Sequence, residues 1–191
     1  MSSSVLAIET GGDIYAELMG ARRGDPVEDT LARMLTSWNW GDGAMPDWLG
    51  LSWKSFYTMM GYHFPGFPLW RAATFGNPLD AQRSDEMEEL RELLRQNRTG
   101  RIRSELWMVD ILAAGCMGDD HLWQDLGLWE RSDLSQLMLE NFEPLALRNH
   151  KDMKWKKFLY KQLCETEGIY TCRAPSCEVC ADYQNCFGPE E

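Results

Sequence analysis

The sequence predicts an all-α fold: a single compact domain of about six helices that ends in an irregular C-terminal cysteine loop binding a metal cluster. Three observations carry this. Apolar residues recur at helical spacing in successive stretches, and no convincing strand run interrupts them. Capping residues, glycines and prolines punctuate those stretches where helices begin and end. Four of the six cysteines fall in the last twenty residues, as Cys172-x4-Cys177-x2-Cys180-x5-Cys186. At 191 residues and 44% hydrophobic, the chain is large enough to bury a core without help from the metal site. The organisation read from this is an N-terminal segment 1–24, a helical domain 25–170 and a metal-cluster loop 171–191.

The first helix is predicted at Asp25-Pro26-Val27-Glu28, where an N-cap, a first-turn proline and a capping-box glutamate coincide. Val27, Leu31, Met34, Leu35 and Trp38 form its apolar stripe. Residues 39–47 read as a Gly/Pro-rich loop. A second helix carries Phe56, Met59, Met60 and Phe64 and stops at Pro65-Gly66. A third runs from about Asp85 to Arg98, with Met87, Leu90, Leu93 and Leu94 inward and Gly100 beyond it. Ser104 is the candidate cap of the fourth, which reaches about Met117, and Ser132 of the fifth. The sixth covers Lys151 to Glu167, closed by Gly168.

An internal echo suggests a pseudo-repeat of helix-loop-helix units. Leu49-Gly50-Leu51 precedes Phe56, Met59, Met60 and Phe64, and Leu126-Gly127-Leu128 precedes Leu134, Leu137, Met138 and Phe142 at the same spacing. Any two amphipathic helices share the spacing, so the Leu-Gly-Leu words carry the argument.

Bulk properties exclude several classes. A net charge of -11 disfavours nucleic acid as the main partner, because phosphate binding needs a positive face. No apolar stretch reaches membrane-spanning length, and Met1-Ser2-Ser3-Ser4 lacks the basic start of a signal peptide, so a cytoplasmic protein is expected. In a reducing cytosol the cysteines argue for ligands rather than disulfides. No catalytic triad, phosphate loop or dinucleotide fingerprint is present, and a carrier rather than an enzyme is expected.

Four soft sulfur ligands within fifteen positions can converge on one metal centre but are too close together to staple distant parts of a fold. Zinc accepts four thiolates, although its loops usually pair two C-x2-C knuckles and only one is present. An iron-sulfur cluster is better served, since C-x4-C-x2-C opens a ferredoxin-type loop. A cluster that also carries a second metal is the third reading. Zinc leads to a different function class, a zinc-stabilised helical protein-interaction module.

The words His121-Leu122-Trp123-Gln124-Asp125-Leu126-Gly127-Leu128, Asp152-Met153-Lys154-Trp155-Lys156-Lys157-Phe158-Leu159-Tyr160, and Cys172 through Pro189 resemble the nitrogen fixation protein family NifQ. The resemblance is dense from about Arg101 onward, and His63-Phe64-Pro65-Gly66 is also family-like. It implies an iron-sulfur molybdoprotein that takes molybdenum from molybdate and donates it to the iron-molybdenum cofactor of nitrogenase. Cys172, Cys177, Cys180 and Cys186 would hold a Mo-Fe-S cluster. The implied partners are the nitrogenase iron protein and the cofactor scaffold complex.

Other candidates are weighed beside their plainer roles. His121 follows Asp119-Asp120 and is a candidate for placing molybdenum, against a helix-end role. Lys154, Lys157 and Lys161 form a stripe on the last helix that suits an oxyanion or an acidic partner, against a merely solvated face. Cys116 and Cys164 read as buried inert thiols, His63 and His150 as surface or packing residues, and Trp38, Trp107, Trp123 and Trp155 as core.

Overall fold

The computed structural model describes residues 14–69, 76–166 and 183–187, all of them helical, turn or loop. Their helices are α1 (14–21), α2 (Glu28–Trp40), α3 (Trp53–His63), α4 (Ser84–Gln96), α5 (Glu105–Gly115), α6 (Leu122–Asp125), α7 (Arg131–Asn141), α8 (Glu143–Ala146), α9 (Trp155–Thr166) and α10 (Tyr183–Phe187). The six expected helices correspond to α2, α3, α4, α5, α7 and α9. The four additional ones are short, and shortness is why no apolar period announced them. Among them α1 buries Ile14 and Leu18, and Tyr15 Oη donates to Asp29 Oδ1 at 2.5 Å, which ties α1 to α2.

α5 is the centre. Of its eleven residues only Leu106 and Asp110 escape burial, so it is apolar around nearly its whole circumference, as a helix surrounded by others must be. It packs against α4, which in turn meets α9. Gly115 lets this helix end on α6, because a Cβ there would stand 2.6 Å from Leu126 Cδ2. The stripes read from sequence are the buried ones: Val27, Leu31, Met34, Leu35 and Trp38 on α2, and Leu90, Leu93 and Leu94 on α4.

Three expected caps are corrected. Asp25 does not sit next to α2, whose first residue is Glu28; its Oδ1 accepts from Val27 N, while Glu28 reaches back to the Arg23 and Gly24 N-H groups at 3.1 and 2.6 Å. The acidic pair closes a wider turn than a capping box. Ser104 precedes α5 but its hydroxyl donates to Asp25 Oδ2 at 2.8 Å, because that half-buried carboxylate competes for it. The α5 start is served by Glu105, which accepts from the Gly100 and Arg101 N-H groups at 2.7 and 3.0 Å. Ser132 lies inside α7, whose cap is Glu130 with Asp133 reaching back to the Glu130 N-H at 3.1 Å.

The last long helix also starts later than Lys151. Asn149 accepts from Met153 N at 2.9 Å and donates to Met153 O at 2.8 Å, which holds residues 150–153 in a loop with Asp152 at φ 54°. A side chain that satisfies the backbone locally in this way competes with the helix. The expected close at Gly168 lies outside the described residues.

The echoed segments share more than spacing. Gly50 and Gly127 both have positive φ, 79° and 71°, and a Cβ on either would press on a neighbouring helix, Ala114 Cβ at 2.4 Å or Ser37 Cβ at 2.7 Å. Phe64 and Phe142 then close α3 and α7 alike, each N-H donating to the methionine carbonyl four residues back at 2.8 Å.

Candidate functional site

α9 joins the loop before α6 to the last of the C-terminal cysteines. Trp155, Phe158 and Leu159 seat one side of it in the core. At its start the Lys154 N-H donates to the Cys186 carbonyl at 2.8 Å, so the last cysteine is fixed against the first turn of α9. Cys186 is half-buried and packs, with Phe187, on the core; it stands on the short helix α10 rather than in an irregular loop. Cys172, Cys177 and Cys180 lie outside the described residues. Among the described residues no group of three or more His, Cys, Asp or Glu side chains is arranged to hold a metal ion.

Along the same helix, α9 grips the end of α5. An α-helix leaves its last carbonyls without intrahelical partners and carries a partial negative charge there. Here Tyr160 Oη lies 3.4 Å from the Cys116 carbonyl, Arg83 Nη1 donates to the Met117 carbonyl at 2.7 Å, and Lys156 Nζ donates to the Gly118 carbonyl at 2.8 Å. Two of those three donors come from α9. Lys156 also bonds and pairs with Asp125 at the end of α6, a carboxylate 2% exposed. Burial pushes the Asp125 carboxyl above the ordinary carboxylate range and Lys156 opposes the shift.

Arg83 meets Glu86 at 2.6 Å and Tyr160 Oη at 3.1 Å, and the Tyr160 hydroxyl also bonds Glu86. The guanidinium holds the Glu86 carboxyl below its usual range, while burial and Glu86 push the Tyr160 phenol up. Cys116 is enclosed by this cluster. Its thiol is pushed up to about 12 by burial, so it stays protonated and inert, as the sequence predicts.

His121 precedes α6 as its N-cap residue, half-buried, and its N-H donates to Gln124 Oε1 at 3.3 Å. The helix-end role is therefore present. The loop that carries it, 118–121, is the loop whose Gly118 carbonyl Lys156 holds, and it borders an open cavity of about 670 Å³ lined by Arg83, Asp80, Asp119, Asp120, Gln124 and Asp125 among others. The frame thus sets the His121 loop and Cys186 against the same first turn of α9.

Of the lysine stripe, Lys157 is exposed, Lys161 is half-buried with Glu165 3.5 Å away, and Lys154 precedes the helix. His63 is fully buried and Cys164 half-buried; Trp38, Trp107 and Trp155 are buried and Trp123 packs on the core. Lys156 was the residue that reading for charge passed over. Its signal was available: Leu159, Tyr160 and Leu163 follow it at i+3, i+4 and i+7, which places it on the inward edge of α9. Asp125, Arg83, Glu86 and Tyr160 had no such signal, because their meeting depends on how α4, α6 and α9 pack.

Residues 30–188 match the NifQ family model. The chain belongs to the NifQ family. It is 45% identical to Protein NifQ of Azotobacter vinelandii over 84% of this chain and 87% of that protein. It is 34% identical to Protein NifQ of Klebsiella pneumoniae over 85% of this chain and 99% of the relative, and 33% identical to the NifQ homolog of Sinorhizobium fredii over 84% and 70%. No solved structure gives a significant match. The NifQ match takes in all four C-terminal cysteines, the whole of α9 and the His121 loop. Among the described residues no helix is long and apolar enough to cross a membrane.

Proposed function

We propose that this NifQ-family chain, tied to nitrogen fixation by its family, is an iron-sulfur molybdoprotein that carries molybdenum and donates it for assembly of the iron-molybdenum cofactor of nitrogenase. The observation that supports this best is a family match whose span includes the complete four-cysteine run. Its donor chemistry fits the group. Four thiolates in one short segment suit an iron-sulfur cluster, and the Cys186 backbone is already anchored to the helical frame. Cys172, Cys177, Cys180 and Cys186 would hold the cluster in this reading, and its sulfide would offer soft ligation to molybdenum as cargo.

The chain's own residues do the positioning. Lys156 and Tyr160 fix α9 to the end of α5, Lys154 fixes Cys186 to α9, and the His121 loop is held in the same frame. His121 offers imidazole to molybdenum that still carries oxygen ligands, while the thiolates keep the iron. Lys157 and Lys161 lie beside this anchor and steer an acidic partner or molybdate toward it; the partners in this reading are the nitrogenase iron protein and the cofactor scaffold complex. No organic substrate is turned over, and the protein acts in the cytoplasm.

The test is donation. Anaerobically purified protein loaded with molybdenum, offered as the sole molybdenum source to a cofactor-assembly reaction, supports formation of active nitrogenase. Molybdenum-loaded protein that supports no more assembly than the metal-free chain would remove the donor role. A colourless, zinc-containing protein would favour the interaction module instead. His121→Ala is expected to keep iron and lose molybdenum; loss of both together would leave it the helix-end role only.

A further inference from the structure

We propose that the groove between α3, the end of α4 and the start of α5 docks an acidic, leucine-bearing segment of a protein partner. The groove is distinct from the α9 corner. It is a cavity of about 290 Å³ lined by Ser55, Arg95, Arg103, Leu106, Trp107 and Asp110, with Val109 at its base. Leu106 and Asp110 are the two residues by which α5 reaches the surface, and Leu106 is 47% exposed. A large apolar side chain left outward on an otherwise enclosed helix is the kind of anchor an interface covers.

Arg103 supplies the charge. Its guanidinium lies 5.2 Å from the Trp107 ring and 5.9 Å from the Tyr62 ring, which are themselves 5.5 Å apart. It is held against aromatic faces and, among the described residues, makes no hydrogen bond or ion pair. Its fork of N-H donors is therefore oriented in advance for a carboxylate, with little ordering left to do on binding.

Charge complementarity decides the occupant. Arg95, Arg98, Arg101 and Arg103 fall within nine residues of a chain whose net charge is -11. Two of them are committed, Arg101 to Glu143 at 2.7 Å and Arg95 to Glu92 at 2.7 Å. Arg98 and Arg103 have no carboxylate among the described residues, and nor does exposed Lys54 beside Ser55. The one carboxylate in the groove, Asp110, is met by Arg91 at 2.9 Å, so it does not cancel Arg103. A basic segment would set its own charge against Arg103, and a purely apolar one would bury that guanidinium unpaired.

This inference rests on the carrier reading only in that a carrier must meet another protein, and its test does not involve the metal. The probe is a fluorescein-labelled helical peptide with Glu and Leu on one face, compared with versions carrying Gln or Lys in place of Glu, by fluorescence anisotropy on the full chain. The acidic peptide is expected to bind, more weakly as salt rises, and the Gln and Lys versions to bind less. Arg103→Glu should weaken binding roughly tenfold or more and Leu106→Ala severalfold. Arg103→Gln, with circular dichroism and urea midpoint unchanged, guards against loss of fold as the cause. Absence of binding, equal binding of the Gln peptide, or binding indifferent to Arg103 would each overturn the proposal. Full competition by free glutamate would do so too, since it would make the groove a small-anion site. Loss of peptide binding with metal content unchanged concerns the groove alone, and a zinc-loaded chain that still binds the peptide would end the carrier reading without touching it.

Discussion

Two buried polar corners of this molecule use the same ingredients, a carboxylate and a basic side chain, to opposite ends. In the α2–α3–α5 corner, Glu28 and His63 are both fully enclosed, with Nδ1 3.4 Å from Oε1. His63 makes no hydrogen bond there through either ring nitrogen. Its ring is packed instead, 4.9 Å from Tyr62 and 5.4 Å from Trp107. Burial lowers its pKa against the pull of Asp25 and Glu28, so the imidazole is held neutral. In the α5–α6–α9 corner, Lys156 Nζ donates both to a carboxylate and to a helix-end carbonyl. The first corner seats a neutral imidazole by ring packing, while its carboxylate serves the turn before α2. The second fixes one helix relative to another, and satisfied charge-assisted bonds do that with an orientation that packing alone lacks.

The comparison breaks most visibly at Lys156. Lys156→Met leaves Asp125 buried without its partner, and a loss of about 3 kcal/mol is expected in urea denaturation. Lys156→Met combined with Asp125→Leu should recover most of that loss. If the single variant is as stable as the parent, the pair does not hold the corner.

A smaller effect is expected where glycine alone allows α5 to be approached. Gly50→Ala sets a Cβ 2.4 Å from Ala114 Cβ at φ 79° and should cost about 2 kcal/mol. Gly61→Ala, on an exposed and open stretch of α3, should instead be neutral or slightly stabilising by thermal melting.

The His63 corner is sharpened by pH. A histidine whose folded pKa lies below its unfolded value of about 6.5 favours folding above that value. That contribution is lost as pH falls through 6.5 toward the folded pKa, because the unfolded chain then takes up a proton that the folded one refuses. Stability should therefore drop between neutral and mildly acid pH, and His63→Leu should flatten that limb. An unchanged acid limb in the variant would show that His63 is not its source. The smallest effect belongs to Lys157, whose exposed side chain predicts a change under about 0.5 kcal/mol for Lys157→Gln.

Helix faces were legible because burial repeats along one element. Leu31, Leu35 and Trp38 on α2, and Phe56, Met59 and Met60 on α3, could be assigned from periodicity alone. Caps were less legible, since Ser104 and Asp25 satisfy each other across 79 positions and no local rule contains that pairing. The candidate site divides the same way. Cysteine spacing singled out four candidate ligands, but the anchor that holds Cys186 is a backbone N-H of Lys154, and a backbone donor has no letter in the sequence. Lys156 was hidden by company: read with Lys154 and Lys157 it is one more surface charge, and only its place beside Leu159 and Leu163 separates it from them.

The central claim, that the C-terminal thiolates hold an iron-sulfur cluster, is tested most directly by metal content. Iron, zinc and molybdenum should be measured on anaerobically purified parent protein and on the Cys172→Ala, Cys177→Ala, Cys180→Ala, Cys186→Ala quadruple variant, alongside visible absorption. The account predicts a brown parent rich in iron and a colourless variant that keeps its helical content and has lost the iron. A variant that stays brown with its full iron, or a parent that holds zinc alone, would contradict it.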